Sequence, residues 1–487
     1  MQQAEQSAET KTKSALNARL EDVIIDSNNP FKEDLLKRKP YAEILTNVLS
    51  IYTHGAVIAL NGKWGTGKTT FVKKWQQMLE NQKFKTIYFN AWQADYLDDP
   101  LVPLIANLQN VRNINPNDNS RFENLMKAGA KIAITGAVGF GKGVIKMAGG
   151  HLVIETLSSV ADECSNLFKK KVDEFTIQTE SMEQFKEELK EYVNWINSDN
   201  ALVYFIDELD RCNPTYAVRV LERVKHLFGI PGIVFILSID KDQLENSIKG
   251  YFGSDIDAEE YLRRFIDISY NLPQPELKDF CGHLYNYYNL MSFFEQTKRL
   301  ETNNQSFKNE NVLFLNAAEY ICTFKQITLR QLDRIFALTA IALKEFGPNH
   351  FLFPDLFFFL VYLKVCFPSL FESIGYKKLS IQELVQEIET ILPSQMVSDT
   401  IQAGDYDFHS FTYTIAKLLV TYTNNEQRTD KGLVVKDPEE HLSFKTVKVE
   451  EKQLLQCIKH FDNHFQGGDC PIKHLTDKIN LLDSFMN

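Results

Sequence analysis

The sequence has no excess of positive charge. Its 53 Lys and Arg are outnumbered by 64 Asp and Glu, giving a formal net charge of −11. That excludes a surface devoted as a whole to neutralising nucleic-acid phosphates and leaves room only for a local basic groove. The clearest basic run, Lys169-Lys170-Lys171, is equally well explained as a solvated helix face. There is no Cys-x-x-Cys pair. The seven cysteines (Cys164, Cys212, Cys281, Cys322, Cys366, Cys457 and Cys470) are odd in number and widely spaced, so neither a zinc site nor a disulfide framework is indicated. A reducing, cytoplasmic compartment fits best. Met1–Leu20 lacks the apolar centre of a secretory signal and reads as a disordered lead-in. Long hydrophobic runs are missing too. The Gly/Ala-rich segment Ala128–Ala161 is interrupted by Lys131, Lys142, Lys146 and His151. Its longest uncharged stretch falls short of the roughly 20 residues a bilayer requires. It reads as packed helices, with a helix lying on a membrane surface as the alternative. Leu356–Phe367 is bounded or broken by Asp355, Lys364 and Pro368 and reads as a buried core helix.

What is present is ample apolar material. Of 487 residues, 44% are hydrophobic, enough for one large core or two to three ordinary ones. Many of the 35 Phe fall in the C-terminal half, which therefore needs a core of its own. Periodicity predicts a helix over about Asp34–Tyr52, a buried strand over Ala56–Leu60, a helix over Thr70–Leu79 and a second strand over Thr86–Phe89. From Pro100 to Tyr192 the pattern is mostly helical. Sheet logic resumes with Leu202–Ile206, a continuous apolar run suited to a strand covered on both faces. Asn213-Pro214 caps a helix reaching about Phe228. Gly232–Leu237 is another buried strand. Helices near Lys241–Lys249 and Ala258–Phe265 lead to a last strand within Ile266–Leu272. Strand and helix alternate, as in a parallel sheet with crossover helices. The expected organisation is a lead-in over 1–20, a sheet domain over 21–99 and 200–274, a helical insertion over 100–199 and an α-helical domain over 275–487. Asn424–Glu440 is polar enough to be a surface excursion.

One motif sits where its chemistry needs it. Gly62-Lys63-Trp64-Gly65-Thr66-Gly67-Lys68-Thr69 follows a predicted strand and opens a predicted helix. Glycines at 62, 65 and 67 let successive backbone N–H groups turn inward as an anion nest at a helix N-terminus. Lys68 would bridge the β- and γ-phosphates of ATP, and the Thr69 hydroxyl would ligate Mg²⁺. Trp64, Thr66 and Thr70 complete the expected nucleotide-binding set, with packing beside the loop the expected role of the Trp64 ring. A second constellation, Val203–Arg211, ends a buried strand in the acid pair Asp207-Glu208. Asp207 at a strand's carboxyl end would hold Mg²⁺, and Glu208 would polarise the attacking water. A third strand ends in Leu237-Ser238-Ile239-Asp240, where Ser238, with Asp240 second, is the candidate sensor of the γ-phosphate; capping the next helix is the competing reading. Arg211, Arg263, Arg264 and Arg330 are candidate arginines for the transition state, though Arg211 could instead pair with a neighbouring acid. Trp92 is expected to anchor a strand end in the core.

Together, Gly62–Phe71, Tyr88-Phe89-Asn90-Ala91-Trp92 and Phe205–Cys212 resemble the KAP family of P-loop NTPases, over about Asp22–Pro273. The segment Thr328–Arg334 is similar to a helical segment that follows the core in that family and in related AAA-like ATPases. The resemblance implies an α/β parallel sheet of the additional-strand type with inserted helices, an ATPase with a catalytic acid beside the Mg²⁺ acid, and kinship with bacterial phage-exclusion and defence proteins. KAP proteins often carry membrane helices between the two nucleotide motifs; this sequence departs from that. The expected function is a Mg²⁺-dependent ATP hydrolase acting as a switch or assembly module in anti-phage defence. Its helical half would contact protein partners or other copies of itself. The alternatives are a small-molecule kinase, a nucleotide-binding scaffold without turnover, and a DNA-remodelling ATPase.

Overall fold

Five segments of the sequence become five parallel strands: β1 (Ala56–Asn61), β2 (Thr86–Asn90), β3 (Leu202–Asp207), β4 (Ile233–Ile239) and β5 (Ile268–Asn271). The structure is a computed structural model. It describes residues 24–32, 34–49, 51–52, 55–111, 120–139, 157–196, 200–227, 230–295, 309–324, 327–347, 350, 352–393, 411–423, 435–436, 441–442, 444–464 and 471–481. The expected lead-in over 1–20 and most of the polar stretch 424–440 lie outside these residues, as do 140–156 of the Gly/Ala-rich segment.

The strand order is β2-β3-β4-β1-β5, with all neighbours parallel. β4 is therefore inserted between β1, which feeds the glycine loop, and β3, which ends in Asp207. This is the additional-strand arrangement of the P-loop NTPase fold. Burial follows position. The central strands β3 and β4 are buried throughout, whereas β5 at the edge alternates between half-buried and exposed. This is why the central strands read as unbroken apolar runs.

Alternate residues of β1, β3 and β4 feed two separate cores, as the pleat requires. Ala56, Ile58, Leu60, Val203, Phe205, Val234 and Ile236 pack under α1 (Lys39–Leu49) and α2 (Lys68–Asn81) through Leu45, Leu49, Phe71, Trp75 and Leu79. Val57, Ala59, Tyr204, Ile206, Phe235 and Leu237 pack against helices on the other face. These are α3 (Leu101–Asn107), α4 (Ser120–Gly139), α5 (Leu157–Ile196), α6 (Pro214–Leu227), α7 (Lys241–Phe252) and α8 (Ala258–Arg263). The Asn213 side chain accepts the backbone N–H of Thr215 at 3.0 Å, capping α6 as its sequence indicates.

The first helix is shorter than its periodicity suggests. It begins at Lys39, not near Asp34, because Lys37 adopts a left-handed φ of 52° and the Asp34 carboxylate accepts the Lys39 N–H at 2.7 Å. The chain turns there, and Pro40, which lacks an N–H, fits the first helical turn without loss.

Residues Ile24–Gln274 form one compact unit and Pro275–Asn487 belong to a second. Among the described residues the second is helical, apart from a short antiparallel pair, Val435–Lys436 with His441–Leu442. At its centre is the helix Pro354–Cys366, in which every residue from Pro354 to Leu363 is buried. The ring of Phe358 lies 4.8 Å from that of Phe314 and 5.1 Å from that of Phe336. The stretch that tempts a membrane assignment is thus the buried axis of a helical core. Among the described residues no helix is long and apolar enough to cross a membrane.

Candidate nucleotide-binding site

The site is assembled at the carboxyl ends of β1, β3 and β4. β1 ends at Asn61 and the chain enters the glycine loop. Gly65 and Gly67 take φ of 76° and 82°, which a side chain would strain. A Cβ on Gly62 would press to 3.3 Å against Lys68 Cγ and Cδ and Thr66 Oγ1. The loop closes on itself: Thr66 Oγ1 donates to Lys63 O at 2.7 Å, and Gly62 N donates to Ile239 O at 3.1 Å, tying the loop to β4. α2 then starts directly after Gly67. No side chain caps it, so the donors of its first turn are suited to an anion.

Lys68, 8% exposed, is folded along the inner side of the loop. Its ammonium donates to Gly62 O and, at 3.2 Å, to Lys63 O. Burial holds its pKa below the ordinary lysine value. Asp210, Asp240 and Asp207 pull it partly back, and the Arg211 charge pushes it further down. Thr69 and Thr70 lie half-buried in the first turn of α2.

The register aligns the rest. Asn90 pairs with Asp207, Asp207 with Ser238, and Ser238 with Leu60, so one row of strand-end residues crosses from β2 to β1. Asp207 is almost fully buried. Its Oδ2 accepts the Tyr88 hydroxyl at 2.9 Å and its Oδ1 accepts the Glu208 N–H at 3.0 Å. Burial, then the Asp207 charge, drives the Tyr88 hydroxyl well above its ordinary pKa, so it remains a proton donor. Glu208 leaves the strand with a left-handed φ of 61°, a conformation that costs a non-glycine residue of the order of 1 kcal/mol. Ser238 is fully buried, and its hydroxyl has no hydrogen-bond partner among the described residues.

Not every candidate gathers here. Arg211 does, pairing with Glu208 at 2.7 Å. Arg263 is exposed and paired with Glu259 and Glu260 on its own helix, Arg264 is exposed, and Arg330 is exposed on a helix of the second unit. Asp240 is buried and accepts the Trp64 N–H at 3.0 Å. Trp92 overturns its expectation. It is 50% exposed, because Ala91 and Ala94 fill the core beside it, and its ring lies beneath the Arg211 guanidinium. Trp64, 41% exposed, packs beside the loop and donates its indole N–H to Asp210.

Several partners escaped the sequence reading. Tyr88 and Asn90 belong to a recognised motif, yet their hydrogen bonds to the acid pair depend on β2 lying next to β3. Asp210 is buried beside Lys68, and burial raises its pKa. Arg38, 2% exposed, donates to Pro273 O at 3.5 Å, and burial lowers its pKa to about 10. No local pattern marks an isolated arginine of this kind.

The donor set suits a phosphate chain with a hard cation. It combines a buried ammonium, an uncapped helix start, a hydroxyl and a buried carboxylate. Among the described residues no group of three or more His, Cys, Asp or Glu could hold a metal unaided.

A strand, glycine loop and helix, with an acid closing a strand one position removed in the sheet, define a P-loop NTPase. The sequence pattern described as the KAP family P-loop domain matches residues 38–343, and the chain belongs to the KAP family. The chain is also similar to the phage T7 exclusion protein of Escherichia coli strain K12, with 26% identity over 84 residues. That match spans 17% of this chain and only 11% of the exclusion protein's length. A solved structure of the Aeropyrum pernix ORC2 protein in ADPNP–ADP complexes aligns with 97% of this chain and 88% of its own. With 12% identity and a TM-score of 0.29, that likeness says nothing of activity.

Proposed function

We propose that this chain is a Mg²⁺-dependent ATP hydrolase that works as a nucleotide-driven switch or assembly module in bacterial anti-phage defence. One observation carries the reading. Lys68, Thr69, Asp207, Glu208 and Ser238, whose hydroxyl has no partner among the described residues, converge at the ends of three neighbouring strands. A scaffold has no physical need for all five. In this reading the loop amides and Lys68 bind the phosphates, and Thr69 and Asp207 hold Mg²⁺. Ser238 faces the γ-phosphate, and Glu208 takes the proton of the attacking water. The cation, when bound, neutralises charge on the phosphates. The likeness to a phage exclusion protein supports the defence setting, and the helical half is the part we assign to partner proteins or further copies of the chain.

The test is steady-state hydrolysis of ATP and GTP with Mg²⁺, comparing wild type with Glu208→Gln and Lys68→Ala. The expected result is ATP turnover in wild type, binding without turnover in Glu208→Gln and loss of binding in Lys68→Ala. Wild-type protein that binds no nucleotide would overturn the reading. A second reading, a nucleotide binder without turnover, draws on the engagement of both Glu208 oxygens by protein donors. It predicts tight ATP binding with no phosphate release.

A further inference from the structure

A general base must offer a lone pair to a water proton at hydrogen-bond distance. Each carboxylate oxygen of Glu208 already meets one protein donor, which fixes the direction of the carboxylate and leaves about two of its four acceptor positions open. Oε1 lies 2.7 Å from Arg211 Nη1, and Oε2 accepts from Asn90 Nδ2 at 2.9 Å. Arg211 is held in turn by two indoles. Its guanidinium carbon lies 6.0 Å from the Trp64 ring centre and 5.6 Å from that of Trp92. These two rings are among the large exposed apolar side chains of the unit, so their exposure is a cost that the stacked cation partly offsets. Trp64 belongs to the glycine loop itself, pinned through its backbone N–H to Asp240 and through its indole to Asp210. One guanidinium therefore joins the glycine loop, the turn after β2 and the candidate base.

We propose that Arg211 is a positioning residue that latches Glu208, and that the phosphate loop controls the latch through Trp64. This rests on the reading of Glu208 as the base. Phosphates drawn into the loop present the guanidinium with a competing acceptor, since its charge is already felt at Lys68. A shift of Trp64 removes one face of the stack. Glu208 then keeps only its Asn90 contact and turns to the water. A ligand moves such an equilibrium only by contacting the two states differently, and the Trp64–Arg211 contact supplies that difference. The sign is opposite to that of an arginine acting on the transition state, whose removal slows hydrolysis.

The experiment uses the full chain. Steady-state ATP hydrolysis is measured for wild type, Arg211→Ala, Arg211→Lys, Trp92→Leu, Glu208→Gln and the Arg211→Ala/Glu208→Gln double variant, each checked by thermal melting. The ion pair is partly exposed, so its loss is expected to raise kcat by about fivefold. Arg211→Lys keeps the charge but loses the planar stack and falls between wild type and Arg211→Ala, as does Trp92→Leu. The gain vanishes in the double variant. Tryptophan emission changes when the slowly hydrolysed analogue ATPγS is added to wild type, and less so in Arg211→Ala. A kcat that falls or stays level in a folded Arg211→Ala overturns the latch while a silent Glu208→Gln leaves the base reading standing. Turnover retained in Glu208→Gln overturns both. Should wild type turn over too slowly to detect, measurable turnover in Arg211→Ala supports the latch, and silence in every variant overturns it.

Discussion

Tyr88, on β2, donates its hydroxyl to Oδ2 of Asp207, at the end of the neighbouring β3, at 2.9 Å. The bond fixes the orientation of a carboxylate that the proposed mechanism assigns to Mg²⁺. Removing such a supporting donor typically weakens a metal site by about tenfold or more. Tyr88→Phe is therefore expected to raise the Mg²⁺ concentration for half-maximal hydrolysis by roughly tenfold, while kcat at saturating Mg²⁺ stays near wild type. A Mg²⁺ titration with an unmoved midpoint would show that Asp207 does not carry the cation.

Lys68 gives a prediction in pH. Burial lowers its pKa from the ordinary 10.5, against the pull of Asp210, Asp240 and Asp207. Phosphate binding needs the protonated amine. The affinity for ATP should therefore decline as pH rises, beginning below 10.5. Between the lowered pKa and 10.5 the unfolded chain holds more protons at this group than the folded one, so this residue's contribution makes the unliganded protein more stable as pH rises. Lys68→Met removes both effects: it abolishes ATP binding and raises the melting temperature of the free protein. A fluorescent ATP analogue titrated across this range, with parallel melting curves, checks each limb. An affinity flat through pH 10.5 refutes the assignment.

Much of this site was legible because its signals are local. The glycine spacing from Gly62 to Lys68 needs no tertiary knowledge, and a carboxylate ending an unbroken apolar run, Val203–Asp207, implies a buried strand with its acid at the mouth of the sheet. The partners were not legible. Asn90 and Glu208 are 118 residues apart, and their hydrogen bond exists only because β2 pairs with β3. Trp92 departs from its sequence signal for a related reason: hydrophobicity argues for burial, but small Ala91 and Ala94 occupy the space and leave the indole outside. The start of α1 is not legible from periodicity, which carries no sign of φ, and Lys37 turns left-handed there without a glycine to announce it.

In the helical unit, Lys417 lies 2.7 Å from Asp355, each side chain only 5% exposed. Asp355 also accepts from Thr414 at 2.9 Å. A buried ion pair of this kind contributes little net stability, yet breaking it strands a charge and typically costs about 3–5 kcal/mol. Asp355→Leu and Lys417→Met should each lower stability by that order. The double variant should recover most of the loss, because two apolar side chains need no partner. Denaturant midpoints for the four proteins form the cycle, and additive losses would argue that the two charges are independently solvated.

Ser238 separates a structural from a chemical role most cleanly. Its hydroxyl is fully buried with no hydrogen-bond partner among the described residues, beside Asp207 on β3 and Leu60 on β1. A buried hydroxyl without a partner costs roughly 1–3 kcal/mol. Deleting it in Ser238→Ala therefore costs little, since the alanine methyl keeps most of the packing, and should leave the melting temperature level or raise it. Meeting the γ-phosphate or its water would supply the missing partner, and the same deletion would then lower kcat by about ten- to a hundredfold, as loss of one hydrogen bond to a charged group does. Greater stability joined to lower turnover marks a group placed for chemistry at the expense of folding. Unchanged turnover in Ser238→Ala would leave Ser238 as a strand residue only and shift the search for the sensor to Asp240, whose carboxylate already holds the Trp64 N–H of the glycine loop.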